Sequence, residues 1–126
     1  MNNVMKTIKV EDYAITPIYT QDVLYVSTKL LIVTDELEKD ITDGSMELVI
    51  KNRDVRDLYR KGKEESLAYT LLRPFVDNIM STIKTRGFEW KDFLKSNEKF
   101  IPYMIDTMVN RIKEVMDPNS QYYVKH

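Results

Sequence analysis

One stretch, Glu64 to Phe88, carries a helix start, a steady period and a stop, and it constrains the chain more than any other. Leu67, Leu71, Phe75, Ile79 and Ile83 recur at every fourth residue, with Ala68, Leu72, Val76 and Met80 beside them. Thr70, Arg73, Asp77, Ser81 and Lys84 fall opposite. That spacing predicts an amphipathic helix with one broad apolar face. Glu64 and Glu65 suit the positive end of its dipole, Lys84 and Arg86 the negative end, and Gly87 the left-handed conformation that closes a helix. Phe88 is then expected to fold back onto Ile83. Pro74 conflicts with the pattern because it lacks the amide that would bond the Thr70 carbonyl. The reading is one bent helix over residues 64–86.

The remaining segments are read around this helix. In residues 1–19, Ile8 and Val10 alternate with charged neighbours and Pro17 blocks an early helix, so an extended N-terminal arm is expected. Two readings compete for residues 20–41. Val23, Val26, Leu30, Val33 and Leu37 follow a helical 3-4-3-4 spacing, and Thr20 suits a cap. Against this, the segment VLYVSTKLLIVT is rich in β-branched residues that suit strands, yet Leu30 to Val33 is continuous and does not alternate. Weighting pattern over propensity predicts a helix over 21–41. Thr42 to Ser45 reads as a turn, leading either into a short helix capped by Ser45 or into a hairpin with MELVIK. Residues 89–95 read as a short helix showing Trp90, Phe93 and Leu94 to one side. A last long helix is expected over 101–116, with Pro102 in its first turn and Asp117-Pro118 as its stop.

Length and composition bound the class. A chain of 126 residues suits one domain, and 43% apolar with 31% charged residues belongs to a folded, water-exposed protein. No apolar run approaches the roughly 18 residues of a membrane span, and no secretion signal is visible, so no membrane partner and a location in the host cytoplasm or a virion are expected. There is no cysteine, and the one histidine is His126. Thiolate and histidine-based metal sites within one chain are thereby excluded. The abundance of Lys, Asn, Ile, Tyr, Asp and Met resembles the output of an AT-rich genome and suggests a phage or virus.

The sharpest candidate for function is a charge reversal. Asp35, Glu36, Glu38, Asp40, Asp43 and Glu47 stand against Lys39 alone, a local balance of −5. Lys51, Arg53, Arg56, Arg60, Lys61 and Lys63 follow, against Asp54 and Asp57, a balance of +4. With Tyr59 as a stacking surface, the basic segment could hold the phosphates of a nucleic acid. Alternatively the two segments neutralise each other locally, or the acidic face of one copy meets the basic face of the next. The acidic cluster lacks the rest of an active site: the glycines Gly44, Gly62 and Gly87 form no phosphate loop, and no histidine base lies near a serine. Met80, Met104, Met108 and Met116, like Trp90, Phe88 and Phe93, read as core first and as a binding surface second.

Together these readings predict a mainly α, small helical bundle: an extended arm over 1–19, a single helical domain over 20–118 and a short polar tail over 119–126. They leave room for a minor β-hairpin within 23–51. The expected function is non-enzymatic protein–protein interaction, as an oligomerising assembly component or host-factor binder, with no catalytic residues, cofactor or metal. Nucleic-acid binding through residues 51–63 is the alternative.

Overall fold

A computed structural model describes residues 6–120. Its element order is β1 (Thr7–Ile18), β2 (Val23–Val33), β3 (Glu38–Asp40), β4 (Glu47–Lys51), α1 (Asn52–Leu58), α2 (Glu64–Thr85), α3 (Trp90–Ser96) and α4 (Phe100–Met116). The strands form one four-stranded antiparallel sheet with β2 at its centre. β1 lies along one side of β2, and β3 and β4 follow one another along the other side.

The helical bundle expected from the sequence is therefore corrected to a two-layer α+β fold. The predicted helix over 21–41 is mostly the strand β2, and residues 7–18 are a core strand instead of an outlying arm. The hairpin allowed within 23–51 is in fact a larger sheet that includes β1. Propensity outweighed pattern for a specific reason. Leu24, Val26 and Leu30 point inward at alternating positions and are buried, but Val23 and Leu31 on the opposite face are buried as well, at 8% and 4% exposure. Apolar residues on both faces of a strand erase the alternation that would have marked it. In β1 the signal was broken differently. The register shifts between Glu11 and Ala14, and Asp12 takes a left-handed φ of 50°. This bulge moves the inward positions from Ile8 and Val10 to Ile15.

The helices bear out the local signals more closely. α2 runs unbroken through Pro74 and buries Leu67, Ala68, Leu72, Phe75, Ile79 and Ile83. Its end is a Schellman closure: Gly87 has a φ of 84°, its amide donates to Lys84, and the Phe88 amide donates to the Ile83 carbonyl at 3.0 Å. α4 buries Phe100, Met104, Ile105, Met108, Ile112 and Val115. α2 packs on α4, α4 and α3 on β1, and α2 reaches β4, which places the core between the helices and one face of the sheet. Residues 121–126, the larger part of the predicted polar tail, lie outside the described residues, as does His126.

The sheet treats its two edges differently. The outer edge of β1 is closed by side chains: Asn97 accepts from the Val10 amide at 3.0 Å and donates to the Ile8 carbonyl at 2.7 Å, while Arg111 donates to the Ile15 carbonyl at 3.1 Å. These satisfy backbone groups that would otherwise invite another strand. On β4, no strand among the described residues pairs with the outer side.

Candidate functional site

The charge reversal of the sequence becomes a separation in space. Glu38 pairs with Val33 at one end of β2, and Lys51 pairs with Val23 at the other. At about 3.3 Å per residue, those ends are roughly 30 Å apart. Asp35 and Glu36 lie in the turn between β2 and β3, Glu38 and Asp40 on β3, and Asp43 precedes a 3-10 turn. Glu47 begins β4 and so lies closer to the basic end. Local neutralisation between the two blocks is thereby limited to the neighbourhood of β4.

Several of these groups already have structural tasks. Asp43 caps the 3-10 turn, accepting from the Ser45 amide at 2.8 Å and from its hydroxyl, and both bonds hold its carboxyl below the ordinary range. Asp40 is lowered in the same way by Thr42, whose amide it accepts at 2.8 Å. In the basic block, Arg56 pairs with Asp57 at 3.3 Å, and Arg60 donates to the Tyr59 carbonyl at 2.7 Å. Tyr59 packs against the core and its hydroxyl donates to Glu64 at 3.1 Å. Burial raises the Tyr59 phenol, and the bond to Glu64 adds to the shift. Among the described residues no ion pair engages Lys51, Arg53, Lys61 or Lys63. Nor do any three His, Cys, Asp or Glu among the described residues lie close enough to hold a metal ion. No described helix is long and apolar enough to cross a membrane.

A second feature lies on the helical layer. An open groove of about 620 Å³ runs between α2, α3 and the first turns of α4. Leu72, Val76 and Met80 from α2, Trp90 and Leu94 from α3, and Ile101 from α4 form its apolar lining. Tyr69 stands at one end, 54% exposed. Of the groove's polar groups, Thr70 donates to the Ser66 carbonyl at 3.1 Å, and the exposed Arg73 lies 3.9 Å from Asp77.

Comparison of the chain with protein-family models, with curated proteins and with solved structures finds no match in any of them. The site is therefore read from its own residues.

Part of the groove's lining is legible in the sequence. Met80 and Trp90 were read as core with a binding surface in second place, and they line the groove, whereas Met104 and Met108 are buried in the core. Tyr69 was missed. It belongs to neither stripe of the helical pattern, and one signal for it was available: a large aromatic residue outside the apolar face of a surface helix.

Proposed function

We propose that this protein works by non-enzymatic protein–protein interaction, and that the groove between α2, α3 and α4 receives an amphipathic helix of a partner protein. The observation that carries this reading is the groove's mainly apolar lining, drawn from three helices, with Arg73 and Asp77 as its charged residues. From Tyr69 to Met80 it follows α2 for roughly 16 Å, about three helical turns. A partner helix with apolar anchors at i, i+4, i+7 and i+11 would match that length. Arg73 and Asp77 on the rim offer one charge of each sign and so give the bound helix a direction. For a viral or phage setting, in the host cytoplasm or a virion, the amino-acid composition is the support.

Trp90 is the only tryptophan and lines the groove, so its emission reports occupancy directly. Amphipathic helical peptides of about 12 residues are expected to change that emission saturably. Val76→Glu, on a partly exposed position, should abolish the response while the circular dichroism stays unchanged. A response that survives Val76→Glu, or one produced by fatty acids and by no peptide, would overturn the reading. Nucleic-acid binding through residues 51–63 is the competing proposal, supported by Lys51, Arg53, Lys61 and Lys63, which form no ion pair among the described residues. It requires salt-sensitive binding of a labelled oligonucleotide that Arg53→Glu weakens.

A further inference from the structure

We infer that the open edge of β4 is a self-association surface, on which a second copy of this chain pairs antiparallel about a two-fold axis at Val49. The direction of the backbone groups follows from the ladder. The Asn52 amide donates to the Asp22 carbonyl at 2.9 Å, so this pair faces inward. The register continues without a shift through Leu24 with Ile50 and Val26 with Leu48. By the two-residue alternation of an antiparallel strand, Leu48 and Ile50 direct their amides and carbonyls to β2, and Glu47, Val49 and Lys51 direct theirs outward. The phase is confirmed further along the same side of β2, where the Ile41 amide donates to Leu30 at 2.9 Å. Val49 is 56% exposed, and no described strand covers this side of β4.

The occupant follows from the charges. The strand reads Glu47-Leu48-Val49-Ile50-Lys51, with opposite charges at equal distances from Val49. Rotated by two-fold symmetry and laid against itself, it brings Val49 opposite Val49, Glu47 opposite Lys51 and Lys51 opposite Glu47. The Val49 pair exchanges both of its backbone bonds, and each Lys51 amide donates to a Glu47 carbonyl, giving about four across the seam, since the Lys51 carbonyl belongs to the start of α1. Opposite charges facing across strands favour the arrangement. Beyond the strand, the acidic residues Glu38 and Asp40 of one copy extend toward the basic residues Arg53 and Arg56 of the other, so the charge reversal becomes complementary along the whole edge. The other edge of the sheet, closed by Asn97 and Arg111, offers no such surface. The groove plays no part in this contact, so the two proposals stand or fall separately.

The test is solution mass by sedimentation across protein concentration at low salt. The wild-type chain is expected to reach twice 14.9 kDa. Glu47→Lys places like charges opposite each other twice in the dimer, as does Lys51→Glu, and each should weaken association by about tenfold or more. The double variant Glu47→Lys/Lys51→Glu restores opposite pairs and should recover the dimer. Val49→Pro removes an outward amide without touching the ladder to β2, and should leave a monomer with wild-type circular dichroism. A wild-type monomer at all concentrations overturns the proposal. So does a dimer indifferent to the single charge swaps and to Val49→Pro.

Discussion

Asn97 and Val10, 87 residues apart in the chain, are joined by a 3.0 Å hydrogen bond from the Val10 amide to Asn97 Oδ1. The same side chain donates through Nδ2 to the Ile8 carbonyl. One amide thus takes the place of a neighbouring strand and ties α3 to the edge of the sheet. Asn97→Ala leaves both backbone groups unpartnered and is expected to cost about 1–3 kcal/mol, read as a lower urea midpoint. Asn97→Asp keeps the acceptor for Val10 but loses the donor to Ile8, so it should not restore the wild-type midpoint.

Phe100 joins the two layers. Its ring lies 5.2 Å from Tyr13 on β1, 6.2 Å from Phe93 on α3 and 6.5 Å from Phe75 on α2. It is almost fully buried, so Phe100→Ala is expected to destabilise by about 3–5 kcal/mol through the cavity it leaves. Phe100→Leu should cost distinctly less. Equal losses in thermal unfolding for the two variants would contradict this account.

Pro74 and Thr70 are both exposed on α2. Pro74→Ala restores an amide to the helix and removes a steric conflict, at the expense of a more flexible unfolded chain. The expected net result is a gain of up to about 2 kcal/mol. An unchanged or lower denaturation midpoint would mean that the burial of Phe75 and Ile79 depends on the backbone path proline imposes.

Asp40 and Asp43 secure the link between β3 and β4, and hydrogen bonds from Thr42 and Ser45 lower both carboxyls. A carboxyl lowered by folding contributes stability that is present above its unfolded pKa and is lost as pH falls through its folded pKa. The acid limb of the stability curve should therefore include this link, with the loss beginning in the ordinary carboxylate range, where the unfolded groups protonate, and complete only below the lowered folded values. Asp43→Asn removes the proton linkage at that position and should flatten the limb between pH 5 and acid unfolding, measured by urea denaturation at each pH.

Much of the helical layer was legible from the chain because its signals are local. The four-residue recurrence from Leu67 to Ile83, the stop at Gly87 and the stripe from Ile101 to Met116 each lie within one element, and capping and side-chain spacing act over a few residues. Part of the groove was legible for the same reason, through Met80 and Trp90. Its existence was not, because it is a gap between helices, and Tyr69 and Ile101 meet there only once α2 and α4 have packed.

By itself, then, the sequence determined the helices α2, α3 and α4, the turn at Thr42 to Ser45, the lack of cysteine and the order of the charges. Only the tertiary structure decided that residues 23–33 are a strand, that β1 belongs to the core, and that the acidic and basic blocks lie at opposite ends of β2. The physical reason is pairing across distance. Whether Leu31 faces water or is covered depends on Lys9 and Asp40, its neighbours on adjacent strands, and those pairings have no counterpart in the local spacing of residues.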